Sequence, residues 1–165
     1  MNENESLRIR DLRRDDADVM HTMIVKLAQS TDEADKIRSR AEDYRRFAFG
    51  SRRLVDGVIA ERGEQPVGLC LYYLTFSTFL GEPGVFVSDI WVEPSERGTG
   101  LGRRLMAAVA RKALDVEATH LRLNVVASNE IAQEFYRRVG MEHRDYEQTW
   151  HLGGEDFARL AESAT

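Results

Sequence analysis

The chain has little cysteine, little lysine and no excess of positive charge. A single cysteine among 165 residues, Cys70, excludes an intramolecular disulfide framework. Cys70 lies in an apolar strand-like run, so it reads as a buried structural thiol and not as a nucleophile. Of the 23 basic residues only Lys26, Lys36 and Lys112 are lysine, an arginine bias that reads as the composition of a GC-rich bacterial genome. The net charge of −5 argues against a generic nucleic-acid or anionic-membrane binder. No apolar run is long enough to span a membrane. Residues 1–5 carry neither a basic n-region nor an apolar h-region, so no secretion signal is expected and a cytoplasmic location is. His21, His120, His143 and His151 show no metal-ligand spacing, and no metal is expected. The length fits one domain over residues 1–165, large enough for a real core.

What is present is a glycine run. Arg97-Gly98-Thr99-Gly100-Leu101-Gly102 follows an apolar strand-like stretch, 85–92, and opens an amphipathic helix, about 101–116. Alternate glycines let the backbone turn sharply and come close to a ligand. A glycine-rich turn at a helix start points unpaired N–H groups at an anion, with the positive end of the helix dipole behind them. No Lys-Ser/Thr pair follows the last glycine, which excludes a P-loop. Arg103 stands where G-x-G-x-x-G needs its last glycine. Two readings stay open, a plain left-handed turn and an anion cradle. Arg103 and Arg104 favour the cradle, because cations in a first helical turn oppose the dipole unless a polyanion sits there.

The rest of the pattern alternates strands and helices. Leu7 and Ile9 predict an edge strand. Asp15 or Asp16 is expected to cap a helix with the stripe Met20, Met23, Ile24, Leu27 and Ala28, broken by the polar stretch 29–35. A short helix is expected over 41–49. Strands follow at 54–61 and 66–76 around the turn 62–65, and Gly81-Glu82-Pro83-Gly84 predicts the next turn. A strand is expected at 120–126. Ser128 or Asn129 then caps a helix with the stripe Ile131, Ala132, Phe135, Tyr136 and Val139, closed by Gly140 in the left-handed region. A last strand is expected at 148–152 and a terminal helix at 155–162. The order is β-α-α-β-β-β-α-β-α-β, an α/β layer.

The glycine run, the stretch 72–81, Asp89-Ile90-Trp91-Val92 and Asn129-Glu130-x-Ala-x-x-Phe135-Tyr136-x-x-x-Gly140 together resemble the GNAT superfamily of N-acetyltransferases, closest to its diamine (spermidine/spermine) branch. The resemblance covers nearly the whole chain. It implies a GNAT fold, a mixed, mostly antiparallel sheet flanked by helices with two central strands splayed apart. It also implies acetyl-CoA as donor, a small-molecule amine as acceptor, and a homodimer formed through the C-terminal segment around 148–152.

Acetyl transfer from a thioester to an amine needs a held donor, a neutral amine, an oxyanion donor and a proton for the departing thiolate. By the resemblance, backbone groups of Ile90, Trp91 and Val92 pair with pantetheine like an added strand. The amides of Gly98, Thr99, Gly100, Leu101, Gly102 and Arg103, next to Arg97, take the pyrophosphate. A backbone N–H near Ile90 serves the oxyanion, and losing one such donor costs about 2.7–4 kcal/mol in well-studied enzymes. Asn129 and Ala132 meet the cofactor from the helix start, and Asn129 is also an ordinary N-cap residue. The Tyr136 hydroxyl protonates the thiolate, since a phenol near pKa ~10 is neutral at pH 7. Without the resemblance, Tyr136 reads as a core aromatic.

Three positions depart from the branch. Ser88 stands where the branch has the glutamate that meets the amine, and Asp89 is retained. Strand alternation points Asp89 away from Ser88 unless a bulge intervenes. Asp89 is therefore a candidate base or a structural partner of an arginine. Water held by Ser88 and Asn124 is the other route for the proton. Gln29-Ser30-Thr31 replaces a polyamine-contacting Lys-Tyr-Glu, with Asp32 and Glu33 close by as substitutes or as solvated loop. Gln148 replaces a substrate-contacting glutamate. The departures point to an acceptor other than a simple polyamine. A peptide or protein amine is the alternative acceptor, and a non-catalytic acyl-CoA-binding module is the alternative class.

Overall fold

A computed structural model describes residues 6–163. The acidic opening, residues 1–5, lies outside the described residues. The chain divides into two compact units, residues 1–130 and 131–165.

The first unit is built on a five-stranded sheet. Its strands are β1 (Leu7–Asp11), β2 (Asp56–Arg62), β3 (Gln65–Ser77), β4 (Glu82–Val92) and β5 (His120–Leu123). They lie side by side in chain order. The first four pair antiparallel, and β4 pairs with β5 in parallel. A parallel pair needs a crossover, which α3 (Leu101–Leu114) supplies. Two more helices, α1 (Ala17–Ser30) and α2 (Ala41–Phe47), occupy the interval between β1 and β2.

Each face of the sheet has its own core, as period-two strands require. On one face Val58, Ala60, Cys70, Tyr72, Val85 and Val87 pack with Leu101, Leu105, Val109 and Ala113, a stripe of α3 at four-residue spacing. On the other Ile59, Leu69, Leu71 and Trp91 pack with Met20, Met23 and Ile24 of α1. Cys70 is fully buried, and burial pushes its thiol up to about 12, in keeping with a structural thiol.

The second unit contains most of α4 (Glu130–Val139) and all of α5 (Gly154–Glu162). Gly140 ends α4 at φ 100°, and its N–H donates to the Arg137 carbonyl at 3.0 Å. The expected αL stop is found.

Several expected boundaries move. No strand forms at 148–152, because no neighbour offers it a ladder among the described residues. The strand expected at 120–126 ends at Leu123, its last residue paired to β4. The turn expected at 81–84 lies at 78–81. The Ser77 carbonyl accepts the Gly81 N–H at 2.8 Å, and the Ser77 hydroxyl accepts the Leu80 N–H at 3.3 Å. Gly84 belongs to β4 because the His120 ring packs on it, where a Cβ would sit 2.3 Å from Nε2.

Asp16 occupies the N-cap position of α1, yet its carboxylate does not cap that helix. Arg10 grips it at 2.7 and 2.9 Å, and the Arg13 N–H donates to it at 2.6 Å. Arg10 also reaches Glu61 of β2 at 2.5 Å, so one guanidinium ties β1 and β2 to the start of α1. Burial pushes the Asp16 carboxyl up. The Arg10 and Arg13 contacts outweigh it, leaving the carboxyl below its ordinary value. A lowered folded pKa stabilises the fold above the unfolded value of about 3.9, and that stability is lost as pH falls through the folded value. We therefore expect Asp16→Asn to cost about 1–3 kcal/mol at pH 7 and less at pH 3, below the unfolded value. Urea denaturation at both pH values checks this, and an equal loss at both would contradict it.

Candidate active site

The site begins with one extra residue in β4. Leu71 pairs with Asp89 and Tyr72 pairs with Val87, so Ser88 has no counterpart on β3. Such a bulge shifts the alternation by one. Val85 and Val87 face the α3 core before it, and Ile90 and Val92 pack against the same core after it. Asp89 and Trp91 thereby turn to the α1 face, where regular alternation would have placed neither. The Ser88 hydroxyl donates to the Leu71 carbonyl at 3.3 Å and also hydrogen-bonds Asp89. The bulge is the exception under which strand alternation no longer points Asp89 away from Ser88.

Asp89 lies in a cavity of about 180 Å³ with Ile24, Leu27, Ala28, Thr31, Glu33, Lys36 and Ile37. Burial pushes the Asp89 carboxyl up, and the Ser88 hydrogen bond offsets part of that. The arginine partner weighed for it is absent among the described residues. Lys36 shares the cavity, but its Nζ is held by Glu33 at 2.5 Å. The Asp89 charge is felt by Tyr44 and Cys70, both neutral groups that burial holds above their ordinary values. A carboxylate drawn partly out of water without a cation partner carries a desolvation cost.

The same bulge coincides with the end of pairing to β5. Val87 is the last residue of β4 joined to that strand, opposite Leu123. From Asp89 to Val92 the β4 backbone has strand partners on the β3 side only, so this edge is open where the splay was expected. Asn124 follows β5 as an exposed residue, and no hydrogen bond joins it to Ser88 among the described residues.

The glycine loop continues from this edge. Gly98 and Gly100 take φ 80° and 86°, with nothing within 4 Å of a built Cβ on either. Conformation, and not crowding inside the protein, therefore demands glycine here. Gly100 is the N-cap of α3, and the first helical bond runs from the Arg104 N–H to its carbonyl at 3.1 Å. The amides of Leu101, Gly102 and Arg103 precede that bond. No acid stands in the first turn, while Arg103 and Arg104 are exposed there. Leu101 is buried in the core, so it offers the loop backbone alone. The Arg97 guanidinium rests 4.9 Å from the Trp91 ring centroid, and its Nε donates to the Val92 carbonyl at 3.1 Å. These residues fit a polyanion carried on an extended amide chain.

The remaining expected residues are placed as follows. Thr31 lines the Asp89 cavity, and its hydroxyl lies 3.2 Å from the Leu27 carbonyl and 3.4 Å from Glu33. The Ser30 hydroxyl donates to the Leu27 carbonyl at 2.7 Å and does not line the cavity. Asp32 is exposed in the left-handed region at φ 56°, where it ends α1, so of the two nearby acids only Glu33 reaches the cavity. Asn129 directly precedes α4, and its N–H donates to the Val126 carbonyl at 2.8 Å. In the second unit, Ala132, Phe135, Tyr136 and Val139 share one face of α4, and the Phe135 and Tyr136 rings lie 5.3 Å apart. Gln148 is exposed in an irregular stretch. Lys36 and Ile37 escaped sequence reasoning, since a short 3₁₀ turn at Ala34–Lys36 folds them back over the end of α1.

Comparison with known proteins agrees with this geometry. A profile described as the Acetyltransferase (GNAT) family matches residues 21–141. A thialysine N-epsilon-acetyltransferase of Bos taurus is 30% identical over 93% of this chain and 96% of its own length. A spermidine/spermine N(1)-acetyltransferase-like protein 1 of Homo sapiens is 25% identical over 88% of this chain and 22% of its own. Among solved structures, an integron cassette protein of V. cholerae superposes with a TM-score of 0.79 at 20% identity, covering 95% of this chain and 98% of its own. The chain belongs to the Acetyltransferase (GNAT) family and is an acyltransferase.

Changing Gly100 to Val should weaken acetyl-CoA binding by about tenfold or more, because a β-branched residue resists positive φ and would rebuild the loop. Calorimetric titration checks it. Unchanged affinity in a folded Gly100→Val protein would contradict the cradle.

Proposed function

We propose that this member of the family moves the acetyl group of acetyl-CoA to the primary amine of a small molecule, by direct attack of the amine on the thioester. The observation that carries the proposal is Asp89, a half-buried carboxylate with no cation partner among the described residues, turned by the Ser88 bulge into a small cavity beside the open edge of β4.

Bound acetyl-CoA supplies an acetyl group activated as a thioester. The edge backbone of Ile90, Trp91 and Val92 offers the hydrogen-bonding groups that an amide chain needs. The loop amides of 98–103, with Arg97 and Arg103, are the groups for its phosphates. An N–H near Ile90 is the oxyanion donor. Asp89 pairs with the incoming ammonium, which near pKa ~10.4 must lose a proton before it can attack. Because burial raises the Asp89 pKa, the carboxylate is a stronger base than a free aspartate, and it takes that proton. Tyr136 is proposed as the proton donor to the leaving thiolate, with Asn129 and Ala132 as cofactor contacts, on the resemblance of α4 to the family pattern.

The cavity is small, about the volume of six waters at ~30 Å³ each. That size supports a single amine arm over a bulky acceptor. Ser88, Thr31 and Gln148 are uncharged, and Glu33, the other carboxylate lining the cavity, is paired with Lys36, which supports fewer ammonium partners than a polyamine needs. We therefore propose an acceptor with one cationic centre near the cavity, such as an amino-acid-like amine, in keeping with the thialysine named for a relative. Residues 1–165 are proposed as one GNAT domain, since the family match crosses the boundary between the two units. A cytoplasmic location and a bacterial source are proposed on composition alone. A homodimer is proposed through 148–152, supported by the exposure of Tyr146, Trp150 and Leu152. A sedimentation mass of one chain would remove it.

Steady-state kinetics test the reading. A lysine-like or thialysine-like amine should exceed spermidine and spermine in kcat/KM by about tenfold or more. The wild-type kcat/KM should rise with pH through the raised Asp89 pKa. Asp89→Asn should lower it about 10²–10⁴-fold and abolish that rise. Tyr136→Phe should lower kcat on the order of 10²-fold with little change in acetyl-CoA affinity. Equal turnover of spermidine, or an Asp89→Asn enzyme with the wild-type pH profile, would contradict the assignment.

A further inference from the structure

We propose that Arg62 and Glu96 are positioning residues for the phosphate loop, a strut that runs from the end of β2 to the turn carrying Gly98. The proposal rests on the reading that residues 98–103 hold acyl-CoA. It adds two residues that the glycine motif does not contain.

Glu96 is the last residue of the short 3₁₀ turn Pro94–Glu96 that connects β4 to the loop. It is one of only two buried charged residues among those described, the other being Asp16. Arg62 grips both of its carboxylate oxygens, Nε on Oε1 at 2.6 Å and Nη2 on Oε2 at 2.8 Å. That two-point contact fixes the plane of the carboxylate as well as its position. It joins residues 34 positions apart in the chain.

The other end of Glu96 reaches the loop. Its backbone carbonyl accepts the Thr99 hydroxyl at 2.7 Å and the Thr99 N–H at 3.4 Å. Gly98 lies inside that turn at φ 80°, and Gly100 follows at 86°. The residue whose side chain is clamped to the sheet is thus the residue whose carbonyl closes the turn. The loop is tethered at a second point where β3 bulges at Val67, whose carbonyl accepts the Glu93 N–H at 2.9 Å. Together these contacts fix the loop relative to the β2–β3 hairpin before any ligand arrives.

Charge gives Arg62 a second task. A polyanion site is a poor place for a carboxylate, and Glu96 stands two residues before Gly98. The Arg62 guanidinium neutralises it and holds the Glu96 carboxyl below its ordinary range. Removing Arg62 should therefore loosen the loop and also expose the phosphates to a negative charge. Removing the Glu96 charge should only loosen it. A merely structural pair would show no such order.

The experiment compares wild type, Arg62→Gln, Glu96→Gln and the charge-swapped double variant Arg62→Glu/Glu96→Arg. Acetyl-CoA affinity is measured by calorimetry, and hydrogen exchange at the Thr99 amide is followed without ligand. Arg62→Gln should weaken acetyl-CoA binding about tenfold or more, and Glu96→Gln by less. Both should speed Thr99 exchange, and the swap should recover most of both losses. The KM for the amine and kcat at saturating acetyl-CoA should stay within about twofold of wild type. If a single variant does not fold, Arg62→Lys keeps the charge and loses the two-point grip, and should bind with intermediate affinity. Wild-type affinity in the folded variants, or equal damage to the amine KM and kcat, would overturn the strut alone. A wild type that binds no acetyl-CoA would overturn the loop reading beneath it.

Discussion

One extra residue in a β-strand decides which way Asp89 points. Without the Ser88 bulge, Asp89 would lie on the α3 face with Val85 and Val87, in a core that has no room for a carboxylate. With it, Asp89 enters the α1-side cavity. Directly before it, at Val87, β4 parts from β5. The bulge therefore aims an acid into a cavity, at the point where the strand edge beside it loses its β5 partner. In the reading proposed above, amine and donor meet at that point.

The charged groups around this centre divide into two kinds. Arg10, Asp16 and Glu61 satisfy one another and hold the strand edge to α1. Lys26 and the Trp91 indole both donate to Glu93, at 2.5 and 3.2 Å, and steady the end of β4 from the other side. Asp89 has no cation partner among the described residues, and burial raises its pKa where the other shifted carboxyls are lowered by their neighbours. A group left in that state costs stability, and such groups concentrate where a ligand completes them.

The sheet and helices were legible because their periodicities are clean. The α3 stripe and the alternation of 58–60, 69–72 and 85–87 follow directly from spacing. The glycine loop was legible because positive φ leaves a mark in composition. The bulge was not, since Ser88 becomes an extra residue only when Leu71 and Tyr72 choose their partners. Gly84 read as a turn because nothing in sequence shows the His120 ring lying over it. The stretch 148–152 has strand-like residues, but a strand exists only with a neighbour to pair with. Glu96 and Lys36 were invisible for the same reason, as their roles depend on contacts made by folding.

The central claim is that the edge that opens at the bulge and the loop beyond it form one continuous acyl-CoA site. Titrating ¹⁵N-labelled protein with coenzyme A and following the backbone amides tests it most directly. The account predicts that the largest shifts fall on Ile90, Trp91 and Val92 and on residues 98–103, saturating together as one binding event. Shifts centred instead on the cleft beside Lys26, Gln65 and Ser95, or loop shifts that leave the β4 edge unmoved, would contradict it.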